Sequence, residues 1–404
     1  MGYLTSTVVD PSYDPFSYQL HEDPYLTYAW MRENAPVYRS DARDFWALSR
    51  YDDVLSALRN PAVFSSRNGI SLEPDLWGTD ATKTSFFLAM DPPEHGRMRR
   101  LVGGVFKPRW VNAMEPRVRA LARARLAPVM DGAPFDFAEY AAALPNDVMC
   151  EVVGIPDTDR DAIRADNDLL NHCEDATDTR SSAAIAAGFR LALYYVNLIN
   201  DRRQHPGDDL TSAMIRARVD GVPLTDSQLV AFLFLLVSAT NESTGKQIGI
   251  AWYHGWRLPA LQRAGLNGRA THWGNESLRY DSPSQMMART LTDETVLHGR
   301  RLPRNARVAL LPASANRDPR AFVEPDTFAL DRDTSKMISF GHGPHFCLGA
   351  ALAQLEITVA LEEAGRLVSA YEIDMDNARW IHSPHQRGFA SLPCAVTRRP
   401  RPSR

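Results

Sequence analysis

Apolar residues recur at spacings near 3.6 along four long stretches, Val111 to Met130, Ala183 to Arg203, Asp226 to Trp256 and Leu348 to Val368, and each predicts a helix with one face turned to a core. Strand signals are shorter and fall in two places. Pro36 to Trp46 carries Val37-Tyr38 and leads into Phe45-Trp46-Ala47-Leu48, while Thr295 to Leu311 carries Val296-Leu297 and Val308-Ala309-Leu310-Leu311 among turn-forming residues. The expected product is mainly α with a smaller β region (α+β). No repeat of roughly 20–50 residues, low-complexity tract or linker interrupts the pattern, so a single domain over residues 1–404 is expected, with a tail from residue 398 to 404.

Composition narrows the class. The 404 residues hold 45 Lys plus Arg against 49 Asp plus Glu, a formal charge of −4, with 44% hydrophobic and 23% charged residues. Those values belong to ordinary soluble globular chains, and the near balance of charge argues against nucleic acid as the main partner. The longest unbroken apolar run, Leu229 to Val237, is far short of the roughly 18–20 residues that span a bilayer, so no membrane association is expected. Met-Gly-Tyr-Leu-Thr-Ser-Thr at the start has neither the basic opening nor the apolar stretch of a secretory signal. Four scattered cysteines (Cys150, Cys173, Cys347, Cys394) give neither a disulfide framework nor a zinc ribbon, and point to a reducing cytoplasm.

The richest segment is Ser339-Phe340-Gly341-His342-Gly343-Pro344-His345-Phe346-Cys347-Leu348-Gly349-Ala350. Its glycines and proline force an irregular loop, after which Leu348, Leu352, Leu355 and Val359 open a helix, so Cys347 is expected at a helix N-terminus. Free N–H groups and the positive end of the dipole favour a thiolate there, and a thiolate ligates metals. Taken alone, a lone cysteine is more often a buried structural residue. Zinc held by His342, His345 and Cys347 is a further reading, one that lacks a fourth ligand nearby.

The string Phe-Gly-x-Gly-x-His-x-Cys-x-Gly fixes six residue types, with a chance occurrence of order 1 in 100,000 for a chain of this length. On it the chain resembles the cytochrome P-450 superfamily of haem-thiolate enzymes. Glu276-Ser277-Leu278-Arg279 resembles that family's Glu-x-x-Arg, with Asn316-Arg317-Asp318-Pro319 following as in the family and Arg332 as a candidate third member of the network. Asp91 to Arg100 and the helical run Leu235 to Thr244 match further family segments.

The resemblance implies the cytochrome P-450 fold, with haem b (iron protoporphyrin IX) held between a long distal helix and the helix that starts at the cysteine. Cys347 would be the axial iron ligand. Phe340, Gly341, Gly349 and Ala239 would surround the porphyrin, and His95, Arg99, Arg289 and His345 would meet its carboxylates. Along the distal helix the family reads Ala/Gly-Gly-x-Asp/Glu-Thr-Thr. Ala239, Glu242 and Thr244 conform, whereas Thr240 stands where glycine is usual and Ser243 where threonine is usual. Glu242 with Ser243 or Thr244 would relay protons, and Thr240 would make proton delivery or substrate orientation unusual. Because Glu242 projects away from the face shared by Leu236, Thr240, Ser243, Thr244 and Gln247, a distorted turn or water is expected to connect it.

The implied activity is a monooxygenase that activates O2 to oxidise a mid-sized apolar or aromatic small molecule. Substrate walls are expected in Arg67 to Met90, the helical pair at 165–200, Ser284 to Met287 and the turn at His382-Ser383-Pro384, with Phe86, Phe87, Val237, Thr240, Gln285, Met286 and Met287 as named contacts. No flavin-like or ferredoxin-like domain fits in the rest of the chain, so electrons are expected from a separate ferredoxin and its reductase, docking on Arg97, Arg100, Lys107 and Arg109. A monomer is expected. Oxidative coupling or cyclisation without oxygen insertion is the alternative within the fold, and a non-catalytic haem-binding sensor the alternative outside it.

Overall fold

The computed structural model describes residues 12–103, 106–130 and 135–399; the side chains of Thr84, Met130, Asn241, Glu242 and Leu266 lie outside the described set. Its longer helices are α1 (Tyr25–Asn34), α2 (Tyr51–Arg59), α3 (Glu94–Val102), α4 (Pro108–Met130), α5 (Phe137–Val153), α6 (Arg160–Asn171), α7 (Ser182–Gln204), α8 (Asp226–Arg257), α9 (Ala270–Tyr280) and α10 (Ala350–Leu367). The strands used below are β1 (Val37–Ser40), β2 (Phe45–Leu48), β3 (Phe64–Ser65), β4 (Phe135–Asp136), β5 (Met287–Leu291), β6 (Arg307–Leu310), β7 (Val368–Ile373) and β8 (Pro393–Arg398). One sheet runs in the order β1-β2-β6-β5-β3, antiparallel except where β6 meets β2, and a second runs β7-β8-β4. The predicted α+β balance is what the chain adopts. The four predicted helices fall on α4, α7, α8 and α10, shifted by up to three residues at their ends.

Helix α8 organises the core. A capping box, in which Thr225 accepts from the Gln228 N–H and Gln228 from the Thr225 N–H, fixes its start, and 32 residues carry it through the molecule. It lies closest to α5, and Gly245 is the point of contact: a Cβ there would sit 2.8 Å from Ala142 Cα and 2.9 Å from Ala141 O. Any larger residue would push the two helices apart. Leu233, Val237, Ile248 and Trp252 from α8 join Phe137 and Leu144 from α5 and Ile357 and Leu361 from α10 in one apolar core. The helix is continuous through Ala239 to Thr244, so the expected distorted turn is absent.

Helix α7 is more apolar than its longest unbroken run suggests. By length and composition it could cross a bilayer, with a mean hydropathy of 1.4 over 18 residues of which 33% are buried. Single polar residues interrupt its apolar stretches, so the longest unbroken run does not fall on it.

Candidate active site

The cysteine loop is built by a relay of buried polar contacts that begins on α9. Glu276, 1% exposed, accepts from Arg279 Nε (2.8 Å) and Nη2 (2.8 Å), Arg332 Nε (3.0 Å) and the Ala329 N–H (3.0 Å). Arg279 passes the order on by donating to the carbonyls of Asn316 (3.0 Å) and Pro325 (2.9 Å). Asn316 then accepts from the Ile338 N–H and donates to Ser339 Oγ, which donates to Leu278 O. Within the loop the Cys347 N–H donates to Phe340 O at 2.8 Å. Gly343 adopts φ +69°, and a Cβ on it would meet Leu58 O at 2.6 Å, so the turn against α2 admits only glycine. Arg332 thus occupies the third place in the Glu276–Arg279 network.

Cys347 lies three residues ahead of α10 rather than on its first turn. Burial is the largest influence on its thiol and pushes it up, against the Gly349 N–H and the Arg99 charge. The expected helix-terminus stabilisation of a thiolate is therefore outweighed by desolvation, and a bound cation is what would bring the proton off. Zinc finds no support: no cluster of three or more His, Cys, Asp or Glu side chains able to hold a metal occurs among the described residues. His342 turns to Arg59 instead, and His345 packs against His95 with ring centroids 4.0 Å apart and the rings tilted by 35°.

Cys347 faces α8 across a cavity of about 260 Å³. Phe340, Gly341, Leu348, Gly349 and Leu352 form the cysteine side, and Leu235, Leu236, Ala239, Thr240, Ser243 and Thr244 form the other. A larger cleft of about 710 Å³ lies elsewhere, among α6, Lys246 and Trp380, with a rim of acidic and basic side chains. The smaller cavity is the chemical site, because it alone of the two joins a sulfur ligand, buried cations and an apolar wall.

The cations decide what it can hold. Arg289 is fully buried on β5 and donates to Ala288 O at 2.7 Å and Met287 Sδ at 3.8 Å, with Asp91 as the charge that favours it. Desolvation pulls it down to about 10, so it remains a cation at neutral pH. Arg99 donates to Phe346 O at 2.5 Å. Burial and the two arginines hold His95 at about 4 and His345 at about 2, leaving both neutral. His95 Nε2 and His345 Nδ1 are buried without a hydrogen-bond partner among the described residues. Two fixed charges and two idle ring nitrogens beside an apolar slot ending in a thiol fit a flat apolar group with two carboxylates and a soft metal. The haem implied by the resemblance is such a group.

On α8, Thr240 Oγ1 donates to Leu236 O (2.9 Å) and Ser243 Oγ to Ala239 O (3.2 Å), the back-bonding that lets hydroxyls sit in an apolar helix. Thr244 is 5% exposed. The Glu242 side chain lies outside the described residues. Gln247 Oε1 and Glu356 Oε1 also border the cavity, and neither has a partner among the described residues.

Several expected substrate contacts point elsewhere. Phe87, Thr240 and Met287 border the cavity, whereas Phe86, Val237, Met286 and Gln285 do not. Phe86 and Val237 pack into the helical core, and Met286 joins a second core beside Tyr13 and Tyr28. Gln285 is consumed by bonds to Tyr28 (3.0 Å) and Ser282 (2.6 Å). The α6–α7 pair and His382-Ser383-Pro384 contribute nothing to this cavity; α6, His382 and Ser383 border the larger cleft. Ile70 and Leu88 fall in the expected Arg67 to Met90 wall; sequence reasoning missed Phe106 and above all Glu356, a carboxyl pushed up to about 8 by burial alone. Its only signal was a glutamate on the inward stripe of an apolar helix.

Comparison with known proteins adds an independent line. A family profile described as cytochrome P-450 matches residues 274–393. The chain is 43% identical over 402 residues to a protein named cytochrome P-450 123 in Mycobacterium tuberculosis, covering 98% of this chain and 100% of the relative. It is 34% identical over 410 residues to the vitamin D(3) 25-hydroxylase of Pseudonocardia autotrophica, covering 98% and 99%. Among solved structures, CYP109E1 of Bacillus megaterium in complex with testosterone superposes with a TM-score of 0.85 at 28% identity, over 93% of this chain and 98% of that one.

Proposed function

The chain belongs to the cytochrome P-450 family of monooxygenases, and from that premise we propose that it oxidises a mid-sized apolar natural product by oxygen insertion at a haem b bound through Cys347. The single observation that carries this reading is the opposition, across one cavity, of a buried thiol and the hydroxyl-bearing face of α8. A haem held there supplies O2 activation and the oxidation of the substrate carbon.

The chain's own residues bind, orient and deliver protons. Arg99 and Arg289 neutralise the two porphyrin carboxylates, while His95 Nε2 and His345 Nδ1 donate to them. Phe87, Leu88, Leu235, Leu236 and Met287 exclude water and leave Thr240 and Ser284 as polar anchors for the substrate. Ser243 Oγ, with its proton committed to Ala239 O, accepts from the cavity side, and Glu242 and Thr244 complete the relay. Vitamin D(3) and testosterone, the compounds in two relatives' names, are apolar molecules of the size proposed. Electrons come from a separate ferredoxin and its reductase, in the cytoplasm. Arg100, Lys107 and Arg109 are exposed and carry no ion pair among the described residues, which supports them as the docking patch; Arg97 already pairs with Asp220.

The test is the spectrum of the dithionite-reduced holoprotein under carbon monoxide, followed by spin-state titration with sterol-like and macrocyclic compounds. A strongly red-shifted Soret band, lost in Cys347→Ala, is expected. An unshifted band, or iron replaced by zinc on metal analysis, defeats the reading. Product lacking label after turnover in isotopic O2 would replace insertion with coupling or cyclisation.

A further inference from the structure

Helix α7 turns a neutral apolar stripe to solvent. Ile185, Phe189, Leu193 and Val196 are 45%, 73%, 62% and 41% exposed, while Ala184, Ala187, Leu191, Tyr195, Leu198 and Ile199 on the opposite side pack inward. At 100° per residue the four exposed side chains fall within a sector of about 80°, over a length of about 16 Å. Scattered exposed apolar residues need no explanation, but a continuous stripe marks a contact surface.

Two features say what covers it. Every arginine on α7 is already paired inside the protein: Arg190 with Asp166 of α6, Arg202 with Asp201 and Asp209, Arg203 with Asp226. No free cation is left on the helix to meet an anionic lipid surface or an acidic protein. The spacing is also nearly palindromic. Ile185 and Val196 lie about equally far from the middle of the stripe, and so do Phe189 and Leu193, so a dyad passing beside residue 190 or 191 sets Ile185 against Val196 and Phe189 against Leu193 of an antiparallel copy. The Arg190–Asp166 pair flanks the stripe on the α6 side at that same midpoint, so the dyad brings Arg190 toward Asp166 of the second copy and leaves the cluster neutral.

We infer that the exposed stripe of α7 is the centre of a two-fold, antiparallel contact between copies of this chain. The geometry is isologous, as closed dimers require, with an apolar centre and a charged, self-complementary flank. None of the residues that border the cavity containing Cys347 lies on α6 or α7.

The register makes the inference testable. Phe189→Glu and Leu193→Lys are made separately and the holoproteins examined by sedimentation velocity from about 1 to 100 µM. Wild type is expected to dimerise in that range, and each variant alone to dissociate at least about tenfold more readily, with an unchanged carbon monoxide spectrum as the check on folding. Mixing the two variants is expected to restore a heterodimer. The carboxylate introduced by Phe189→Glu in one copy then faces the ammonium introduced by Leu193→Lys in the other, while the second contact keeps Leu193 against Phe189. A monomer at every concentration overturns the inference. So does equal loss in the mixture, which would mean a different register. Flotation of monomeric wild type with phosphatidylcholine vesicles, abolished by Phe189→Glu, would replace the second copy with a lipid surface.

Discussion

Replacing Arg289 with methionine should make the empty protein more stable and the loaded protein worse at keeping its cofactor. The guanidinium is buried, and desolvation, partly offset by Asp91, lowers it from its usual range to about 10, which corresponds to about 3 kcal/mol of cost for keeping the charge. That cost is already net of the attraction of Asp91, and among the described residues no carboxylate bonds the guanidinium, whose donors go to Ala288 O and Met287 Sδ. Methionine matches the length and apolar stem and removes the charge, so haem-free R289M should gain about 1–3 kcal/mol in urea unfolding. With haem bound, the variant loses one charge-assisted bond of about 1.5–3 kcal/mol, which corresponds to roughly 10- to 100-fold faster transfer of haem to excess apomyoglobin. Opposite signs in the two states are the signature of a cation kept for an absent anion. If R289M lowers the stability of the haem-free and haem-bound forms alike, Arg289 is a structural cation and the assignment of the carboxylate site fails.

Glu276→Gln exchanges an acceptor of four hydrogen bonds for a half-donor facing two arginines and should lower stability by about 3–5 kcal/mol; a change below about 1 kcal/mol in urea unfolding would show that the network does not hold the cysteine loop. Glu356 should give a pH signature: its carboxyl is raised to about 8 when folded, while the unfolded chain releases its proton at about 4.3, so wild type loses stability as pH climbs between those values. Relative to Glu356→Gln that loss should approach about 5 kcal/mol by pH 8, and parallel stability curves for the two proteins would place the carboxyl in contact with water or a cation. Reversing Lys107 and Arg109 to Glu should slow reduction by an acidic ferredoxin about tenfold at low salt and leave dithionite reduction untouched; equal ferredoxin rates would remove this patch.

Local chemistry made the loop and the helices legible. Gly341 and Gly343 must turn with positive φ, the apolar period of α4, α8 and α10 is close to 3.6, and Phe340 to Gly349 carries residue types that are jointly rare. Each is a property of neighbours in sequence, and each survives into the structure because nothing distant opposes it. Arg332 came from the family resemblance and not from local chemistry: Pro325 to Phe328 lacks an arginine that some relatives carry there, and only the fold shows Arg332 bonded to Glu276.

Neighbouring residues with equal chemistry were not separable by sequence. Phe86 and Phe87, Met286 and Met287, Leu236 and Val237 are alike in type, and only one of each pair reaches the cavity. Successive positions differ by about 100° on a helix and about 180° on a strand, so the rotation at which an element docks selects one and buries the other. The tight crossing at Gly245 helps set that rotation for α8. Burial likewise pushed the Cys347 thiol up, against the expected helix-terminus effect, and raised Glu356, since desolvation depends on what packs around a group and not on its neighbours in the chain. Sequence therefore determined the elements, the loop and the donor types; tertiary packing decided which side chains share the cavity, which cations are left without partners, and which apolar face remains in water.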